Sequence, residues 1–268
     1  MKPEQTLTPQ ELFLRQQTQK KRQIRAARIL LLAAFLILWE AAAAFGWIDS
    51  FIFSSPSRIT ETFWTMCREQ ELFRHIGITL AETLISFFLV ILFGIGIAVL
   101  LWLCPRFSSV MEPYLVVLNS LPKSAMAPLL IVWLGANMRT IVVAGMSVAI
   151  FGSIISLYSE FKGVDPDAVK LIYTLGGTKR DTLRKVILPS SVPFLLSTFK
   201  VNIGLCLVGV VIGEFIGARS GLGYLIIYGS QVFQLNMVIM CIFVLCIIAT
   251  LLYAAVSFLE KQYSSAAR

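Results

Sequence analysis

Val164–Pro193 reads VDPDAVKLIYTLGGTKRDTLRKVILPSSVP. Eight of its residues are charged, yet apolar runs of bilayer-spanning length, Thr140–Tyr158 and Pro193–Gly217, stand on either side. A charged insert between two such runs is extramembrane, and its local code is detailed. Asp165 is a good N-cap, with Pro166 at the first helical position, where its missing N–H costs nothing. Ala168, Leu171, Ile172 and Leu175 then share one helical face. Gly176-Gly177 ends that helix, because glycine takes a left-handed cap without a Cβ clash. Thr178 caps a second helix, and Asp181 sits in its first turn, where the helix dipole favours an anion. Leu183, Val186 and Ile187 form the second apolar stripe, with Lys179, Arg180, Arg184 and Lys185 largely elsewhere. Pro189 is expected to stop this helix, and the next span to begin near Pro193. The residues alone leave two uses open for this hinged pair: resting on anionic headgroups, or docking a partner outside the bilayer.

The rest of the chain is that of a polytopic membrane protein. Of 268 residues, 57% are hydrophobic and 14% charged, and mean hydropathy is +0.80. A soluble domain carries about a quarter charged residues. The net charge of +8 is assigned to loops facing the cytoplasm and not to nucleic acid, since no basic face interleaved with aromatics occurs. The five cysteines include no CxxC and read as packing residues. One histidine, His75, with no clustered ligands, gives no metal site. Neither a phosphate loop of the GxxxxGK[ST] type nor a nucleophile–base dyad is present, so a non-catalytic chain is expected.

Six spans are expected: Ile29–Trp47, Ile76–Leu103, Val110–Gly135, Thr140–Tyr158, Pro193–Gly217 and Val238–Leu259. The second is long enough to tilt or project. The third is broken by Pro113, Pro122 and Pro128. The first has a 28-residue polar flank, and its apolar run continues to Trp47, which favours a span over a cleaved signal. The expected organisation is a cytoplasmic polar segment at 1–28, a membrane domain at 29–260 with the charged loop at 159–192, and a cytoplasmic tail at 261–268. Thr8-Pro9 with Glu11 marks a short helix start within the first segment. With both termini inside, sixteen of the 23 Lys and Arg residues face the cytoplasm and five face out, in keeping with the positive-inside rule.

Ionisable residues within spans are functional candidates because they are costly there. Glu40, Glu82 and Lys200 suit snorkelling or an interhelix hydrogen bond. Lys123 lies between Pro122 and Pro128, where a broken helix frees backbone groups, and a broken span is tolerated where it lines a cavity. It suits either an anionic substrate or a bundle partner, Glu214 or Glu82. Asn119, Ser120 and Ser124 add neutral hydrogen-bonding groups, and Asn202 and Lys200 are candidates to face the same path.

LGGTKRDTLRKVILP, Leu175–Pro189, resembles the EAA loop of permease subunits of bacterial ABC importers. Gly176 matches the glycine of that pattern, and Val186, Leu188 and Pro189 its end. GEFIGARSGLGYLI (Gly213–Ile226) and APLLIVWLG (Ala127–Gly135) resemble stretches of the subgroup for nitrate, sulfonate, taurine and thiamine-precursor uptake. The Glu-Ala-Ala position departs from the pattern, falling on Lys170, Leu171 and Ile172. The resemblance implies an all-α membrane fold of the type I importer class, working as a homodimer or half of a heterodimer. It implies partner ATPase subunits that bind ATP and Mg, and a separate solute-binding protein. Asp167–Leu175 would be the coupling helix, with Lys170, Leu171, Tyr173, Thr174, Gly176, Gly177, Thr178, Arg180, Leu188 and Pro189 at the ATPase contact. Asn119, Ser120, Lys123, Ser124, Asn202 and Glu214 would line the path, and Ser220, Gly221, Leu222 and Gly223 would border the extracellular gate. A secondary carrier or a membrane scaffold is the alternative; neither needs a docking loop at this position.

Overall fold

Helix accounts for nearly all the regular structure in the computed structural model, which describes residues 9–69 and 71–266. The cap expected at Thr8 lies outside them. The helices are α1 (Pro9–Ala44), α2 (Ser50–Phe53), α3 (Pro56–Arg68), α4 (Glu71–Leu103), α5 (Pro105–Ser120), α6 (Lys123–Leu134), α7 (Met138–Gly163), α8 (Pro166–Thr174) and α9 (Lys179–Thr182). A π-helical turn, Leu183–Ile187, leads into α10 (Leu188–Gly217), followed by α11 (Leu222–Gln231) and α12 (Leu235–Ala266). Among the described residues, five helical stretches are long and apolar enough to cross a membrane. The pair α5–α6, bent by 96°, makes a sixth if it counts as one broken span. Of the three prolines expected to break the third span, only Pro122 does so, at Leu121-Pro122; α5 and α6 run on through Pro113 and Pro128.

The described residues divide into two compact units between Thr62 and Phe63. Within the first, Glu40 accepts hydrogen bonds from Ser57 N (3.0 Å) and Ser57 Oγ (2.8 Å). The carboxylate sits at the start of α3, where it satisfies an orphan N–H. The interhelix reading of Glu40 holds.

In the second unit α7 is the central helix, packed against both α4 and α10. Small residues let the backbones approach, as is common between helices in lipid. A Cβ on Gly209 would lie 2.8 Å from Gly145 Cα, and one on Gly145 would lie 2.6 Å from Ser86 Oγ. Ser86 Oγ donates to Val142 O across that contact (3.1 Å). A larger apolar cluster, including Leu101, Ile154, Leu157, Phe161, Leu183 and Ile187, fills the same helices toward the charged insert.

Pro189 does not stop the second helix of the insert. Helix runs without a break from Lys179 to Gly217, and Pro189 lies in the first turn of α10. The reason is the π turn before it, where Leu188 N–H reaches back to Leu183 O. The widened turn gives the proline ring the space it needs against the preceding carbonyls.

Candidate functional site

The charged insert forms two hinged helices. Asp165 accepts from Asp167 N (2.9 Å) and starts α8. Gly176 N–H donates to Tyr173 O (3.0 Å) and Gly177 N–H to Ile172 O (2.9 Å), the two bonds of a Schellman end. Gly176 has φ +77°, and a Cβ on Gly177 would fall 2.8 Å from Ile172 O. Thr178 and Asp181 then form a reciprocal capping box. The stripe on α8 is only partly covered: Ala168 and Ile172 are half-buried and Val169 packs against the core, but Leu171 and Leu175 are 57% and 76% exposed. Tyr173 is exposed beside them, and Thr174 Oγ1 donates to Leu171 O (2.9 Å). Lys170 pairs with Asp167 at 3.2 Å, both largely in solvent. The stripe on the following segment behaves oppositely, with Leu183 and Ile187 inside the core and Leu188 packed against it. Arg180 and Pro189 are exposed. The link between insert and span is a residue outside the expected set. Lys179 Nζ donates to Leu103 O (2.7 Å), at the last turn of α4, and lies 5.4 Å from the centre of the Trp102 ring.

At the middle of the unit, a cavity of about 330 Å³ opens between α7 and α10. Its polar lining is Ser153, Ser156, Ser197, Thr198 and Asn202. Asn202 is 4% exposed, and Ser153 Oγ is buried without a protein partner. Asn119 is adjacent, its Oδ1 3.3 Å from the position of a Cβ on Gly152, another lining residue. Lys123 reaches neither Glu82 nor Glu214. Its ammonium donates to Leu118 O, at the end of α5, and lies 5.1 Å from the Phe151 ring centre. Backbone carbonyls freed at the helix break lie closer than any carboxylate, which decides the pairing. Lys200 does not face this cavity either; it forms an ion pair with Glu260 of α12. Ser120 and Ser124 are exposed, with Ser120 Oγ bonded to Val116 O (2.9 Å).

At the far end of α4, the loop before α11 is held from other helices. Gly221 has φ +111°, and no side chain of its own segment caps α11. His75 Nδ1 accepts from Gly221 N (2.8 Å), Thr79 Oγ1 from Leu222 N (2.9 Å), and Glu214 Oε2 from Gly223 N (2.6 Å). Thr79 Oγ1 donates in turn to Glu214 Oε1 (2.7 Å). Glu82, one turn beyond Thr79 on α4 and enclosed, completes the cluster. Ser220 precedes this cap and is half-buried. His75, Thr79 and Glu82 stood unconnected in the sequence, but their i, i+4, i+7 spacing is a polar stripe on an apolar helix, and that pattern marks them.

The family described as "Binding-protein-dependent transport system inner membrane component" matches residues 90–265. The chain belongs to this family. As a permease subunit it is similar to the taurine transport system permease protein TauC of Escherichia coli, 25% identical with 86% of each chain covered. It is likewise similar to the formylaminopyrimidine transport permease protein ThiX of Halalkalibacterium halodurans, 28% identical over 84% of this chain and 90% of the relative. In fold, the permease resembles a chain of the MetNI methionine ABC transporter (TM-score 0.63, 20% identity), which covers 72% of this chain and is itself 96% covered. The type I importer fold expected for the chain is thereby established, and the protein is a multi-pass membrane permease of an ABC importer.

Proposed function

We propose that this permease carries a small polar solute inward, driven by ATP hydrolysis in a partner subunit that docks on α8. The observation that carries the reading is the pair of uncovered leucines, Leu171 and Leu175, on a helix locked at both ends by its own caps. Apolar side chains on a rigid, polar-rimmed helix suit a groove on another protein. Lys170 stands where the family pattern has an acid, so the groove is expected to offer a carboxylate to it. Lys179 ties the start of α9 to the end of α4, so movement of α8 is passed to the spans as a rigid-body shift. ATP and Mg belong to the partner. A solute-binding protein delivers substrate on the opposite side, to a dimer of permease subunits, identical or paired with a second permease.

Both termini lie in the cytoplasm, as the distribution of Lys and Arg favours. The path follows the α7–α10 cavity, where hydroxyls and Asn202 supply neutral hydrogen bonds. With Lys123 engaged by a carbonyl and a ring, solute recognition there rests on neutral groups. Relatives named for taurine and formylaminopyrimidine point to a small sulfonate-like anion or a vitamin precursor as cargo.

Purification of the tagged chain from its native membranes in mild detergent tests the docking. The wild type is expected to retain a phosphate-loop ATPase, and the double variant Leu171→Asp, Leu175→Asp to lose it while remaining at normal level in the membrane. ATPase retained by the double variant would remove α8 from the contact.

A further inference from the structure

Glu82 and Glu214 are among the largest fully enclosed side chains of the protein, 2% and 1% exposed. Glu82 lies one turn from Thr79 on α4, and Thr79 bonds Glu214, so two enclosed carboxyl groups are neighbours, and like charges so placed do not both ionise. The surroundings decide which. Both oxygens of Glu214 already accept, one from Thr79 Oγ1 and one from Gly223 N–H. Glu82 Oε2 is buried, and no N–H or O–H group satisfies it. An anion on Glu214 is thus met by two donors and by the N-terminus of the ten-residue helix α11, whereas an anion on Glu82 would leave Oε2 buried without a donor. Among the described residues no lysine or arginine forms an ion pair with either carboxyl. The other titratable group in the cluster is His75. Its Nδ1 accepts from Gly221, which makes it a neutral imidazole with its proton on Nε2.

We propose that Glu82 and Glu214 form a single-proton site, with the proton on Glu82 and the negative charge on Glu214, and that this charge clasps the start of α11. One carboxylate would then bind Thr79 of α4, Gly223 of α11 and the acid of Glu82 at once. Three helices are held by one buried charge. Glu82 is the positioning residue, since its O–H directs the charge onto Glu214. Glycine at 221 and 223 follows from the same geometry: a Cβ at Gly221 would overlap the Glu214 carboxyl, and one at Gly223 would sit 2.7 Å from Glu214 Oε2.

The proposal separates two isosteric changes. Glu82→Gln keeps a donor toward Glu214 and imitates the protonated acid. Glu214→Gln puts an NH₂ where an acceptor is needed, against Thr79 or Gly223. Amide hydrogen exchange in the purified full chain is the readout for the α11 cap. Gly221–Gly223 in Glu82→Gln are expected to exchange at the wild-type rate, and in Glu214→Gln about tenfold faster, the size of one lost buried hydrogen bond. The infrared carbonyl stretch of a protonated carboxyl is the readout for the proton. It is expected in the wild type and lost in Glu82→Gln. Equal acceleration in the two variants, or a band that survives Glu82→Gln, overturns the assignment. Should Glu214→Gln fail to accumulate, the infrared result on Glu82→Gln decides alone.

Discussion

The two ends of α4 are anchored in opposite ways. At one end the charged insert is built from caps that lie within three residues of the groups they serve: Asp165 on Asp167, Thr178 and Asp181 on each other. Its helices are ended by these local caps, and Lys179 together with Val169 and Leu183 joins the insert to the end of α4 and the core there. At the other end α11 has no cap of its own. Its first N–H groups are taken by His75 and Thr79, about 140 positions away in sequence, and by Glu214. The two anchors lie far apart, since Thr79 and Leu103 are separated on α4 by about 36 Å at 1.5 Å per residue. A local cap makes a helix that moves as an independent handle. A cap supplied by neighbours makes a helix that moves with them. On the proposed function, the difference suits docking of a partner at one end and a gate that follows the spans at the other.

That contrast can be broken at its strongest point by Gly221→Ala. The new Cβ would overlap the Glu214 carboxyl, at a φ that alanine strains to adopt. Loss of two buried hydrogen bonds with that strain is expected to destabilise the protein by about 3 kcal/mol or more, read as a sharp fall in the folded chain recovered from membranes. Unchanged recovery and melting would mean that α11 does not depend on the trans-cap.

Gly177→Val is next. Its side chain meets Ile172 O and breaks the Schellman end, so α8 swings relative to α9. The spans should fold normally, because no residue of α8 is fully buried and only Val169 of that helix packs against the core. In the reconstituted complex, ATP hydrolysis is expected to continue while uptake falls by about tenfold or more. Equal loss of both, with the complex intact, would place the defect in catalysis by the partner and not in transmission.

The smallest effect is expected from Thr178→Ala. It removes one exposed N-cap, which costs about 1 kcal/mol, all of it within the insert. Thermal melting of the spans should be unmoved, while limited proteolysis should cut faster between Gly176 and Lys179. Protection equal to the wild type would show that Asp181 holds the second helix without Thr178.

What could be read from the residues, and what could not, follows the same division. The insert was legible almost bond by bond, because Asp165, Pro166, Gly176, Thr178 and Asp181 act on their immediate neighbours. The break at Leu121-Pro122 and the apolar spans were legible for the same reason: prolines and helical hydrophobicity are local properties. Pro189 was the exception within the insert. Its meaning depended on whether the preceding turn would widen, and packing of Leu183 and Ile187 into the core favoured that over a stop. Lys123, Lys200 and Glu214 could be marked as costly charges but not paired. A charge in an apolar run states a need without naming the group that meets it, and that group is set by which helices lie side by side. Local sequence thus settled the membrane class, the apolar spans and the hinged helix pair of the insert. Only the packing of α10 against α12 decided that Lys200 serves Glu260, and only the packing of α4, α10 and α11 that His75, Thr79, Glu82 and Glu214 converge on one helix end. Hydrogen bonds between distant residues form where backbones are brought within reach, and here small residues such as Gly145 and Gly209 allow that approach.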